Sequence, residues 1–308
     1  MVSLKGSISV VVAPFHEDER VDEASLRRTV DWIASAGLGG MVLPMYGTEF
    51  YKLTEAECDQ LVAAAIEVNA GRVPLIANGN HGSAMVAAEL ARRREKMGAD
   101  VVSFALPRMF GTSDADLLRY CGRICDAVSL PVCIQDFNPG GTTIGPDFIA
   151  DLHRAHPNFR YAKLEEPLLA DKIVAIRDRV GDNVGVIEGW GGMYMLEAIP
   201  VGCCGIMPGV PIADALQRVF DDRAAGRNDE AYDLFGGLLP FINFTLQNME
   251  LFLQIEKHLL VRRGLLESST CRSLALTPSP TVWEHVEFLI AQLERLYAKW
   301  GIPFKVGR

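Results

Sequence analysis

Asp100-Val101-Val102-Ser103-Phe104, Leu130-Pro131-Val132-Cys133-Ile134-Gln135 and Phe159-Arg160-Tyr161-Ala162-Lys163-Leu164 are three short apolar runs with a stretch of helical period after each. Ser113 opens the first of the helices between them and Pro146 the second, residue types suited to the N-cap and the first helical position. Continuous apolar runs of this length, rich in Val and Ile, read as parallel strands buried on both faces. The same unit extends in both directions. On the N-terminal side, apolar runs at 8–12, 40–44 and 73–77 alternate with helices. Asp22 caps the first, which runs through Trp32 and Ile33 to a stop at Gly37. Thr54 with Glu57 forms a capping box for the second, and Ser83 begins the third. On the C-terminal side, a helix through Ile173 and Ile176 leads to runs at 184–188 and 202–207.

Eight β-then-α units closing on themselves predict an α/β fold, a (β/α)8 TIM barrel. A doubly wound sheet is the alternative, but its glycine-rich first turn is replaced here by Ala13-Pro14-Phe15-His16. The pattern changes near Ala225. Residues 1–225 read as the barrel and 226–308 as a C-terminal helical extension packed on it. In that extension Asn228 caps a stretch through Tyr232 and Phe235, a long amphipathic run covers 241–263, and a further helix covers 281–300.

Composition agrees with one large globular domain: 308 residues, 49% hydrophobic and 22% charged. Thirty Lys and Arg against 39 Asp and Glu give a net charge of −9, which excludes a general binder of nucleic acid or anionic membrane. The polar start and the lack of a bilayer-length apolar run predict neither signal peptide nor membrane span, and the cysteine usage fits a reducing cytoplasm. The Cys count is odd at seven, with no CxxC pair. Cys121 and Cys125 share a helix face and Cys203 and Cys204 lie in an apolar run, so all four read as core. No HxH, HExxH or phosphate-loop spacing occurs, so no metal and no nucleotide are expected.

In such barrels, reacting groups come from the C-terminal ends of strands and the loops after them. That rule selects Tyr46, Gly47, Thr48, Asn78, His81, Arg108, Gln135, Lys163, Glu165, Glu188 and Met207. Lys163 ends a strand between apolar neighbours. A buried lysine is disfavoured as ammonium, and the free amine attacks a ketone to form a Schiff base. Its other reading is an ion pair with Glu165 or Glu166. His81 reads as a loop cap, and Arg108 as a salt-bridged residue or an anion contact.

Tyr161-Ala162-Lys163-Leu164-Glu165, Gly47-Thr48-Glu49 leading into Leu53-Thr54, and Ala13-Pro14-Phe15 stand in the register of a known pattern. Together they resemble the dihydrodipicolinate synthase / N-acetylneuraminate lyase family over essentially the whole chain. The resemblance implies a class I lyase with Lys163 as the Schiff-base lysine and no cofactor beyond that covalent imine. It also implies a keto-acid substrate and a homo-oligomer, tetramer or dimer. In the carboxylate-binding loop, Met45-Tyr46-Gly47-Thr48-Glu49 departs from Gly-Thr-Thr-Gly-Glu. The resemblance implies that the loop amides hold a substrate carboxylate, with the Thr48 hydroxyl in place of the shifted pair and Glu49 bracing the loop; the other reading is a loop that no longer binds carboxylate.

Two larger departures concern proton relays. The family's Tyr-Asn after strand five is Gln135-Asp136 here, and an amide cannot relay protons near neutrality. Its Pro-Pro-Tyr-Tyr after strand four is met by Leu106-Pro107-Arg108-Met109-Phe110. After strand seven, Glu188-Gly189-Trp190-Gly191-Gly192 keeps a glycine and loses the usual acids. Trp190 either walls the mouth or packs under the C-terminal helices.

Gln-Asp on strand five and Ile-Glu-Gly on strand seven are similar to the 2-keto-3-deoxy-L-arabonate dehydratase branch. The implied reaction is water elimination from a 2-keto-3-deoxy sugar acid through an imine on Lys163. Glu165 or a water held by Gln135 is the base, and Tyr46, Gly47, Thr48, Gly189 and Met207 contact substrate. The alternatives are a pyruvate-dependent aldolase or dihydrodipicolinate synthase-like synthase, and a non-catalytic keto-acid-binding protein.

Overall fold

The computed structural model describes residues 2–108, 111–138 and 143–306. Eight parallel strands close in sequence order into a barrel: β1 (Gly6–Val10), β2 (Gly40–Leu43), β3 (Leu75–Asn78), β4 (Val101–Ala105), β5 (Val132–Asp136), β6 (Phe159–Leu164), β7 (Gly185–Glu188) and β8 (Gly205–Ile206). Each is followed by its helix: α1 (Glu23–Ser35), α2 (Glu55–Asn69), α3 (Ala84–Met97), α4 (Asp114–Cys125), α5 (Pro146–Ala155), α6 (Leu169–Val180), the short α7 (Met195–Ala198) and α8 (Ala213–Ala224).

The helix starts follow local chemistry. Asp22, Thr54 and Ser113 each accept a first-turn N–H through the side chain, and Thr54 with Glu57 completes a capping box. Strand ends deviate from the sequence-based expectation. β1 begins and ends two residues early, and the apolar run at 202–207 contributes only Gly205 and Ile206. Gly202 instead closes a 3-10 turn at φ 102°, a conformation glycine adopts without steric cost.

The barrel interior is filled by Ile8, Val10, Val42, Ile76, Val101, Cys133, Ile187 and Met207, a packed core rather than a pore. The opposite faces of the strands pack on the surrounding helices, where Phe104, Ile134 and Phe159 meet Tyr120, Phe148 and Ile176. The thiols of Cys121, Cys125 and Cys203 are buried in this same cluster.

Beyond α8 lie α9 (Asn228–Thr245), α10 (Met249–Arg263) and α11 (Pro280–Trp300). Their apolar faces share one core with Ile206, Leu216 and Phe220 of the last barrel unit. The run at 241–263, expected as one helix, is divided. Phe241 belongs to α9, which ends at Thr245, and the Asn248 side chain accepts the N–H groups of Glu250 and Leu251 to start α10 afresh. An N-cap made by a local side chain is what stops the two segments from fusing.

A buried ion network ties α10 to the loop after β2. Glu49, fully buried, pairs with Lys257 of α10 and with Lys52 at 3.0 Å, and Lys52 reaches Glu250 at 2.7 Å. Breaking a buried pair leaves a charge uncompensated. Lys257→Met is therefore expected to lower stability by about 3 kcal/mol in urea unfolding, with Glu49→Gln in the same chain recovering part of it.

Candidate active site

Strand register aims the side chains. Gln135 on β5 is level with Lys163 on β6, and Lys163 with Ile187 on β7. Gln135 and Lys163 lie two residues or one strand from the inward-facing Cys133 and Ile187, so both point to the barrel axis at its C-terminal end. Lys163 is 5% exposed, and its Nζ lies 2.7 Å from Glu165 Oε1. Gln135 Nε2 donates to that same oxygen at 2.9 Å. Of the two ion-pair readings, Lys163 takes Glu165, while Glu166 pairs with Lys172. Burial pushes the Glu165 carboxyl above the ordinary glutamate range, against the opposing pull of the Lys163 ammonium. Among the described residues Gln135 Oε1 and Glu165 Oε2 have no hydrogen-bond partner. Polar atoms left this way in a buried site are available to a bound molecule.

Gly189 makes this arrangement possible. A Cβ there would stand 2.5 Å from Glu165 Cγ and 2.7 Å from Lys163 Cε, closer than packing permits. Gly47 approaches the barrel from the other side, where a Cβ would be 2.9 Å from Val10 Cγ1.

These groups line one cavity at the barrel mouth, partly open to solvent. Its wall holds Tyr46, Gly47, Gln135, Lys163, Glu165, Gly189 and Met207 of the expected set. Thr48 is the expected site residue that the structure does not bring there. It is fully buried, its Oγ1 donates to Val11 O at 2.6 Å and accepts the Met45 N–H at 2.9 Å, so the hydroxyl is consumed inside the loop. The 3-10 turn Tyr46–Thr48 spends the N–H groups of Thr48 and Glu49 on Met45 O and Tyr46 O. Glu49 braces this loop through its two lysines.

Trp190 forms part of the cavity wall and stacks on Phe137, ring centroids 5.9 Å apart. Phe137, Leu246, Met249 and Phe252 also line it and were not singled out in the sequence. The last three come from the α9–α10 junction, so the helical extension roofs the site. The Asn248 cap was the one local sign that the chain turns there.

His81 and Arg108 lie outside this cavity, in a second one that shares its Tyr46 and Phe137 walls. Asn78 stays below the mouth, its Nδ2 on Ser103 Oγ. Met109 and Phe110 of the 106–110 stretch lie outside the described residues. No group of three or more His, Cys, Asp or Glu side chains that could hold a metal occurs among the described residues, and no helix there is long and apolar enough to cross a membrane.

The arrangement is thus a buried amine against a buried carboxyl at the C-terminal mouth of a (β/α)8 barrel, the end where such barrels carry their reacting groups. The chain belongs to the dihydrodipicolinate synthetase family, whose model matches residues 3–291, and it is a lyase. It is 28% identical over 302 residues to the L-2-keto-3-deoxyarabonate dehydratase of Azospirillum brasilense, covering 96% of this chain and 97% of that one. With a probable 5-dehydro-4-deoxyglucarate dehydratase of Bradyrhizobium diazoefficiens it shares 30% identity over 177 residues, 58% of this chain and 51% of that protein. The crystal structure of dihydrodipicolinate synthase from Rhodopseudomonas palustris matches with a TM-score of 0.88 at 26% identity, over 95% of this chain and 100% of that one.

Glu188 supports the loop that carries Gly189 and Trp190. Its fully buried carboxylate accepts the N–H groups of Trp190 (3.0 Å), Gly192 (2.7 Å) and Tyr194 (3.4 Å). Burial nevertheless wins over these donors and raises its pKa to about 7 from 4.5. A carboxyl whose pKa is higher folded than unfolded adds stability below pH 4.5 that is lost as pH rises through 7. In Glu188→Gln, the fall in unfolding free energy between pH 4.5 and 7.5 should therefore shrink by on the order of 3 kcal/mol relative to wild type, measured by urea titration.

Proposed function

We propose that the protein is a Schiff-base-forming dehydratase that removes water from a 2-keto-3-deoxy sugar acid. The observation that carries this reading is the Lys163–Glu165 contact of 2.7 Å, closed by Gln135 on the same carboxylate oxygen and buried under Trp190 and the α9–α10 junction. Whole-length similarity to the Azospirillum brasilense dehydratase supports the same reaction class.

In this reading Lys163 gives up a proton to Glu165 and its amine attacks the C2 carbonyl. Glu165 returns that proton to the carbinolamine hydroxyl, which leaves as water; this restores the carboxylate and leaves an iminium that draws electrons from C3. The substrate carboxylate lies against the Tyr46-Gly47 backbone, with the Gly47 approach keeping that surface open. Glu165 takes the C3 proton, and the upward shift that burial gives its carboxyl makes it a stronger base than an ordinary glutamate. The enamine pair expels the C4 hydroxyl, which leaves as water with a proton returned from Glu165. Hydrolysis of the unsaturated imine frees Lys163, and tautomerisation gives a keto-acid semialdehyde, the substrate less one water.

Gln135 orients the carboxylate and carries no proton, which suits elimination, since no carbon–carbon bond is cleaved. Tyr46 and Met207 bound the space around C3 and C4. No metal and no separate cofactor enters any step.

Incubation with a keto-deoxy pentonate should release a semialdehyde, and borohydride should fix a mass adduct on Lys163. Release of pyruvate instead would make the protein an aldolase, and saturable binding without turnover would make it a binding protein. Glu165→Gln should lower kcat by about 10²–10⁴-fold while the borohydride adduct with pyruvate on Lys163 still forms.

A further inference from the structure

The charges around the two cavities cancel in pairs. In the first, the cation is Lys163 and Glu165 matches it. The rest of its wall is uncharged, with Phe137, Trp190, Leu246, Met249 and Phe252 on the outer side. In the second, the lining cation is Arg108, whose Nε and Nη2 hold Asp136 Oδ1 and Oδ2 at 2.8 and 2.6 Å. Asp136 is fully buried at the end of β5, directly after Gln135, and its Oδ2 also accepts the Ile144 N–H at 2.6 Å. The imidazole on that wall, His81, accepts the Ser83 N–H at Nδ1. Segments 109–110 and 139–142 contain no Lys, Arg or His.

A keto acid joined to Lys163 therefore finds no unmatched cation for its far end, whether that end runs along the first cavity or past Tyr46 and Phe137 into the second. A second carboxylate would lose its water without gaining a counter-charge, and beside Asp136 it would be repelled. Resting on the Schiff-base reading, we infer that Asp136 determines specificity: by holding Arg108 in a buried bidentate pair it keeps the mouth neutral and restricts the protein to keto acids with one carboxylate and an uncharged far end. The guanidinium is a ready carboxylate receptor, and Asp136 occupies it with an internal one.

Two five-carbon probes test this at the imine step, apart from any elimination. 2-Oxopentanoate and 2-oxoglutarate share the keto-acid head and differ by a terminal carboxylate. Half-saturating concentrations for the borohydride-trapped adduct on Lys163 are compared by mass spectrometry. In wild type, 2-oxoglutarate should need a concentration roughly tenfold or more higher. Asp136→Asn should narrow that gap about tenfold, and Asp136→Asn with Arg108→Gln should widen it again, since no free guanidinium remains. Equal saturation by both probes in wild type overturns the inference while leaving the Schiff-base reading intact. The wild-type comparison holds even if Asp136→Asn fails to fold. A folded Asp136→Asn with an unchanged gap also overturns it. No adduct with either probe removes the Schiff-base reading and the inference together.

Discussion

Parallel closure of the barrel puts Gln135 and Lys163 at one level on neighbouring strands, and every feature of the site depends on that register. Side chains alternate along a strand, so a shift of one residue in β6 would send Lys163 into the helix layer and bring Ala162 or Leu164 to the axis. The interior below holds the register in place. Cys133, Ile187 and Val101 fill the axis beside and below the lysine, while Ile134, Ala162 and Leu164 are claimed by the helices outside. Burying both faces of every strand leaves a single pairing that satisfies all of them.

The mouth is then shaped by contacts between parts far apart in the chain. Glycine at 189 and 47 lets the backbone come close where any side chain would collide with Lys163, Glu165 or Val10. Glu188 faces away from the axis and spends its carboxylate on the amides of its own loop, which brings Trp190 over the cavity. From the other side, Glu49 and Lys257 clamp the β2 loop to α10, so the extension that roofs the site also stiffens the loop beside it. The roof is apolar and the floor carries charge in matched pairs. That division suits an imine, whose formation needs an uncharged amine and whose breakdown needs controlled access of water.

Much of the fold was legible because its signals are local. Asp22, Thr54 with Glu57 and Ser113 cap helices through residues within one turn of themselves, and the apolar runs mark strands without reference to their partners. Legibility failed where local signals compete or vanish. The amphipathic run at 241–263 read as one helix because its period barely changes across Asn248, yet the asparagine cap divides it. Thr48 read as a group facing substrate because it sits in the right loop; a turn that twists its hydroxyl toward Val11 cannot be seen in a tripeptide. Arg108 and Asp136 were each visible, but their pairing joins different βα units, and only closure of the barrel brings them together.

By itself the sequence determined the order of eight βα units and the presence of a lysine at the end of the sixth strand, since periodicity and residue type are properties of short segments. It also determined that the usual tyrosines are missing. The tertiary structure decided what surrounds the amine: a carboxylate at 2.7 Å, an amide that shares it, an apolar roof from the C-terminal helices, and an arginine already neutralised by Asp136. The reason is that electrostatics and exclusion of water act across space. A charge in the chain acquires its meaning only when its neighbours, drawn from remote segments, are in place.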